Sequence, residues 1–291
     1  MTAKTVPIQP VLPSRSGRLG WHKIRSVLLV VAFAALFIIA VFPGIFTPYS
    51  PGYIDSSAIL QPPSWKHPFG TDEAGADVWT RVLFATRLEA QIAFGSVIIA
   101  LCIGVPLGLI AGVSRRIFDW SLTSLANATL AFPIVLFAIL MVASFGTTPL
   151  SLTIIIGFLF FPRVFLLMRA QTKSIREREF ITATRVVGAH PLRILSLHIL
   201  PNSVGPLATL VPQLMAEAVL IEAGLSYLGL GVPLPQATWG TILEASKDYY
   251  VTAPFYAVVA GLTITVVAAL SMYAGDIIAE SRNPLRKRRV S

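Results

Sequence analysis

Glu217 stands inside an apolar run, from about Val204 to Ile221, that is long enough to cross a membrane. An ionised carboxylate facing hydrocarbon costs on the order of 3 kcal/mol or more, so Glu217 must face protein or water. Two roles meet that condition: a charge lining a polar path through the membrane, or one half of an ion pair across a subunit interface. Glu222, Glu244 and Asp248 follow around the phrase LSYLGLGVPLPQATWG, which glycine and proline break too often for a helix through lipid. Such backbone is tolerated at membrane depth only where protein or a water-filled cavity satisfies it. A partly re-entrant loop at the outer mouth of a pathway is expected, with Glu222 near the outer surface, where its charge is cheap.

Other chemistry is excluded. The chain has no G-x-x-x-x-G-K-[ST] to cradle phosphates and no His-Glu-x-x-His, so it is not its own P-loop ATPase or a zinc hydrolase of that type. Gly224, Gly229 and Gly231 follow an apolar run and not a strand, which makes them a weak nucleotide fingerprint. His22, His67, His190 and His198 are scattered and read as interfacial or loop residues. The hydroxyls of Ser96 and Thr265 have no histidine nearby in sequence to act as a base, which argues against an intramembrane enzyme. Cys102 is the single cysteine, so an internal disulfide is impossible and a thiol-ligated metal site has no support. No cofactor is expected on this chain.

The elements that must hold these residues are membrane helices. Of 291 residues, 55% are hydrophobic and 13% charged, whereas a soluble domain carries about 25% charged residues. Residues 1–24 are polar, broken by Pro7, Pro10, Pro13 and Gly17, and read as a cytoplasmic tail. Residues 25–46 form a first span without a small-x-small cleavage site, hence an uncleaved anchor. Residues 47–87, with Pro48, Pro51, Pro62, Pro63 and Pro68, form an extracytoplasmic segment whose Tyr49, Tyr53, Trp65 and Trp79 suit the membrane interface. Residues 88–280 hold five further spans, near 90–111, 122–145, 150–168, 204–221 and 253–278, with a polar loop at 170–201 and the outer loop at 223–252. Pro133 should kink the third span. A basic tail, 281–291, closes the chain.

The net charge of +9 could suggest nucleic acid, but the basic residues sit in short segments flanking apolar runs. Most of the 23 lysines and arginines, including Arg115, Arg116, Arg169, Lys173, Arg176, Arg178, Arg185 and Arg193, fall on one side if the amino end is cytoplasmic. That bias places both termini and the 170–201 loop in the cytoplasm, beside lipid and away from any nucleic acid.

Within that loop, Phe180, Ala183, Thr184 and Val187 recur at helical spacing and give one mildly apolar stripe. Gly188 and Ala189 then remove bulk, and Pro191 disfavours helix at His190, so a helix, a tight corner and a second short helix ended by Pro201 are expected. The stripe suits either a docking partner or lipid headgroups. Thr182, Ala183, Thr184, Gly188, His198, Leu200 and Pro201 occupy the places of Glu-Ala-Ala, three residues, Gly, nine residues, Ile, any residue, Leu-Pro. That spacing resembles the cytoplasmic signature loop of ABC-transporter permeases, with Thr182, Thr184 and His198 as departures. HPFGTDEAGADVWTRVLFATR from His67, EAGLSYLGLGVPLPQATWG from Glu222, GVPLGLIAG from Gly104 and LPNSVGP after the signature are similar to the dipeptide and oligopeptide importers, and within them to the second permease, the OppC or DppC type.

The resemblance implies an all-α integral membrane protein with six transmembrane helices, the type I importer permease fold. It implies ATPase coupling through Thr182, Ala183, Thr184, Gly188, Ala189, His190, Leu200 and Pro201. The implied partners are a homologous OppB/DppB-type permease, two ATPase subunits or one fused double ATPase of the OppD/OppF type carrying ATP and Mg, and an extracytoplasmic peptide-binding protein. Importers of nickel or glutathione share this permease type, and a proton-coupled carrier using Glu217 and Arg163 is a further alternative.

Overall fold

Where lipid surrounds a chain, every backbone N–H and C=O must be bonded within the chain itself, so long apolar runs fold as helices. The computed structural model describes residues 15–233 and 235–281, with side chains from residue 24 onward. Residues 1–14 of the expected amino-terminal tail and 282–291 of the basic tail lie outside the described residues. In order, the helices are α1 (Arg15–Val41), α2 (Val78–Val113), α3 (Arg116–Ala131), α4 (Ile134–Phe145), α5 (Pro149–Arg176), α6 (Glu179–Val186), α7 (Pro191–Ile194), α8 (Leu200–Leu225), α9 (Trp239–Ala245) and α10 (Pro254–Ser281).

Among the described residues, α1, α2, α5, the continuous helical stretch Pro191–Leu230 and α10 are long and apolar enough to cross a membrane. Helices α3 and α4 meet the same test only as a pair, bent by 94° at Phe132 and Pro133; counted as one broken span they make the sixth. The sequence predicts a kink at Pro133. The observed break is sharper, because Pro133 caps α4 in extended backbone and cannot donate to continue α3.

Three boundaries differ from those expected. Residues 15–24 of the expected tail are helical and continue into α1, whose apolar spanning stretch begins at Ile24. The outer segment ends at Asp77 and not near Arg87, because the Asp77 carboxylate accepts from the main-chain N–H of Thr80 at 2.8 Å and starts α2 there. Pro201 does not end a helix. A wide turn at Leu195–Ile199 carries α7 into α8, and Pro201 falls in the first turn of α8, where a missing N–H is harmless.

The centre of the bundle is the α2–α5 contact. Gly104 and Gly108 of α2 meet α5 so closely that an added Cβ would lie 2.7 Å from Val164 Cβ and 2.6 Å from Met168 Cβ. Gly112 faces Thr172 in the same way, and on α5 Gly157 faces Ile99 of α2. This four-residue spacing of small residues lets two helices pack backbone to side chain where lipid supplies no hydrophobic drive. The rod Pro191–Leu230 and α10 pack on the same core, while α1 lies outside it, touching α2 and α10 with most of its valines and phenylalanines exposed.

The outer segment is folded, and its aromatic residues stack largely on one another. Tyr49 lies between Tyr53 and His67, and Phe69 meets the edge of Trp79. His67 is buried and holds Asp77 Oδ1 through Nδ1 at 3.0 Å, while Asp72 pairs with Arg81 and accepts from the N–H groups of Ala74 and Ala76. Hydrogen bonds from the Ser57 hydroxyl and N–H hold the exposed Asp55 carboxyl below its usual range.

Gly108→Leu is expected to cost about 1–3 kcal/mol or more, since a closely packed seam cannot absorb the added volume. Gly261, which meets open space, provides the control. Thermal melting of the purified protein should fall for Gly108→Leu and stay near wild type for Gly261→Ala.

Candidate coupling helix and membrane carboxylates

Helix α6 is fixed from one side only. Ile181 is buried against Ile175 at the end of α5, Ile194 in α7 and Ile199 in the wide turn, a small core separate from that of the bundle. The remaining faces are open: Thr182 and Ala183 are exposed, Thr184 is half-buried, and Phe180, Val186, Val187 and Leu192 present apolar side chains outward. Val187 is 88% exposed. The apolar stripe expected from the sequence is therefore largely open among the described residues, with Phe180 meeting the edge of the His198 ring, while Ile181, the residue that anchors the helix, lies off that stripe.

The corner follows from local chemistry. Gly188 has φ +84°, which ends α6 in left-handed backbone, with its N–H donating to Arg185 and that of Ala189 to Thr184. An added Cβ at Gly188 would meet nothing within 4 Å. His190 then caps α7, its Nδ1 accepting from the N–H of Leu192 at 3.3 Å. Gly188 and His190 are exposed and Ala189 half-buried at this corner, whereas Leu200 and Pro201 sit a turn away at the start of α8. On the same side, Asp119 at the start of α3 takes Arg169 and Lys173 from the last turns of α5, tying the bent span to the helix that carries α6.

Glu217 pairs within the chain. Its Oε2 accepts from Arg163 of α5, and both line a cavity of about 320 Å³ with Thr129, Phe132, Ile134 and Leu220. Both side chains stay partly exposed. An intrachain partner satisfies the charge without a second subunit, and the pair still faces open space.

Glu222 corrects the sequence expectation. It is fully buried, because α8 continues past Ile221 to Leu225 and the start of α9, at Thr238–Gly240, packs over that turn against Ala223 and Ser226. It faces Glu89 of α2, also buried. Within 223–252, α9 is a short, largely buried helix begun by reciprocal bonds between Thr238 and Thr241. Trp239 at its start donates its main-chain N–H to Glu89 Oε1 at 3.1 Å and its indole N–H to the Val82 carbonyl at 3.2 Å. Sequence reasoning missed Glu89, since its partner lies 150 residues away. At the outer end of α9, a hydrogen bond to Glu244 keeps the exposed Lys247 ammonium above its usual range.

Comparison with known proteins decides what these elements are. Residues 104–283 match the family described as binding-protein-dependent transport system inner membrane component. The chain belongs to that family. The permease is 36% identical over 228 residues to a protein of Brucella suis named as a peptide transport system permease, covering 78% of this chain and 77% of that one. It is 35% identical over 266 residues to the dipeptide transport system permease protein DppC of Alkalihalophilus pseudofirmus, covering 91% and 87%. Its fold resembles a chain of the MetNI methionine ABC transporter, with TM-score 0.56 and 16% identity over 70% of this permease and 95% of that chain. The permease is thus a multi-pass protein of the cytoplasmic membrane, with the type I importer fold.

Ile181→Ala is expected to cost about 2–5 kcal/mol of local stability. Hydrogen exchange should rise across residues 179–194 of the permease while α2 and α5 stay protected.

Proposed function

We propose that this permease is one half of the membrane channel of an ATP-driven importer of dipeptides or oligopeptides, the OppC/DppC member of a pair with an OppB/DppB-type subunit. The observation that carries this reading is the exposed apolar tip of α6, held on its own small core at the end of α5 and aimed away from the rest of the chain. A groove in an ATPase subunit is its partner. ATP and Mg reside on two such subunits or on one fused double ATPase, so both termini and α6 lie in the cytoplasm, and an extracytoplasmic binding protein delivers peptide to the outer side. The relatives named for peptide and dipeptide transport support the substrate class.

In this scheme the α6–Gly188–α7 corner does mechanical work. ATP-driven closure of the ATPases displaces α6; Ile181 passes that displacement to α5 and, through Ile194 and Ile199, to the rod that carries Glu217 and Glu222. The Arg163–Glu217 pair lines the translocation path, where its two charges can meet the charged ends of a peptide. The test is purification of the chain from its native membrane followed by ATPase assays with the binding protein present. Recovery of a second permease and ATPases stimulated by peptide is expected. Stimulation by nickel or glutathione alone would overturn the substrate, and uptake by the isolated chain would overturn the importer.

Gly188→Trp is expected to uncouple ATP hydrolysis from uptake, since it fills the space a partner would use. Gly188→Asn, which tolerates left-handed backbone, should retain coupling; equal loss in both would point to the turn and not the docking. Glu217→Gln should change transport with complex yield intact. A loss confined to yield would assign the pair to assembly.

A further inference from the structure

Among the described residues, each other deeply buried acid has a basic neighbour: Asp72 has Arg81, Asp77 has His67, and Asp119 has Arg169 and Lys173. Glu89 and Glu222 have each other. Glu89 is 1% and Glu222 0% exposed, and both meet the start of α9: Trp239 bonds Glu89, and Ser226, which bonds Glu222, lies 3.3 Å from the hydroxyl of Thr238 just before it. One oxygen of each is served: Glu89 Oε1 accepts from Trp239, and Glu222 Oε1 accepts from the Ser226 hydroxyl at 2.6 Å. The other two, Glu89 Oε2 and Glu222 Oε2, are buried with no donor.

An ionised carboxylate only accepts, so two of them in contact leave both orphan oxygens unsatisfied and add the repulsion of like charges. A proton on either carboxyl converts that contact into an O–H···O⁻ bond, among the stronger hydrogen bonds in proteins. The surroundings offer no other relief. From α9 come the main-chain N–H groups of Trp239 and Gly240, from the turn before it the Ser226 and Thr238 hydroxyls, and from α10 Ser271. From α1 come Phe33, Ala34 and Phe37, across an apolar cavity of about 430 Å³. Glu222 is the one ionisable group facing Glu89, and neither acid has a lysine, arginine or histidine within ion-pair distance. No cluster of three metal-ligating side chains stands among the described residues, and a bound divalent cation would require more oxygen ligands than this pair supplies.

We propose that Glu89 and Glu222 form a proton-binding site in the outer half of the permease, taking up one shared proton that clamps the re-entrant helix α9 to α2 and α8. Glu89 holds the first N–H of α9, Glu222 holds Ser226 in the turn leading to it, and the proton joins the two acids. Loss of the proton places two negative charges in contact behind α9 and releases it. The full permease in its complex therefore carries a buried carboxylic acid at neutral pH. As pH rises and the pair ionises, the unfolded chain is already deprotonated while the folded chain must give up its proton, so stability falls with pH in that range.

Infrared difference spectra of the purified complex, with deuterium exchange to identify the acid carbonyl stretch, read the proton directly. Melting curves and amide exchange at residues 239–245 across the same pH range, the latter relative to α5, read the clamp. The wild type is expected to show the acid band, a melting temperature that declines as the band disappears, and a several-fold rise in α9 exchange over α5. Glu89→Gln supplies an N–H to Glu222 in place of the proton, so it should lose the band, keep α9 protected and flatten the pH profile. Glu222→Gln should do the same, and if that variant fails to assemble, the wild-type band and Glu89→Gln carry the test. Absence of the band in the wild type, or a pH profile unchanged by Glu89→Gln, would overturn the proposal. A melting temperature that tracks sodium concentration and not pH would overturn it in favour of a cation site.

Discussion

Side chains at three successive turns of α5 rest on a strip of α2 that has no side chains of its own, and most other contacts in the bundle depend on this closeness. In lipid, helices gain little from burying leucine against leucine, so association depends on how closely the surfaces fit. Gly104, Gly108 and Gly112 bring α5 near enough that Val164, Met168 and Thr172 lie against the α2 backbone. With α5 fixed there, its last turns reach Asp119 on α3 and Ile181 on α6, and its middle presents Arg163 to Glu217. The α6–α7 corner and the Arg163–Glu217 ion pair are thus carried by the same helix, and its position is set by glycine.

Polar groups mark the places where the bundle departs from simple packing. Each buried acid but two is neutralised by a base close in sequence or on the neighbouring helix, in keeping with the cost of an unpaired charge away from water. The exceptions lie where irregular backbone enters the bundle and must be held by something other than apolar contact. Trp239 shows how that is done: its ring fills the core, while its two N–H groups bind a carboxylate on α2 and a carbonyl about two turns earlier on the same helix.

The features written locally were the ones legible in the sequence. Six apolar segments, the break at Pro133, the glycine corner and the re-entrant phrase all depend on residues within a few positions of one another, and hydropathy and backbone preference report them. The exposure of Gly188 and the outward stripe of Phe180 and Val187 follow in the same way. What escaped depends on distant partners. Hydropathy treats Glu89 as an interruption near a span edge, although a cap at Asp77 starts the helix about three turns earlier and Trp239 meets the acid from the far end of the chain. Glu222 was legible as a charge but not as a buried one, since the helix that covers it, α9, begins only at Trp239 beyond a broken stretch. Pro201 signals a stop in isolation and is accommodated because the preceding turn is wide.

The placement of α1 bears on how the protein is made. Among the described helices, α1 is synthesised before the others, and it packs on α2 but also on α10, more than 200 residues later. Chains fold from the amino end as they are synthesised, so α1 must stay against α2 with an open flank while more than 200 residues are inserted. The α1–α10 contact can form only after Pro254–Ser281 has been synthesised. Truncation before Pro254 would therefore leave two seams exposed at once, the flank of α1 and the face of the rod that α10 covers, and give quality control a plain mark of an unfinished molecule.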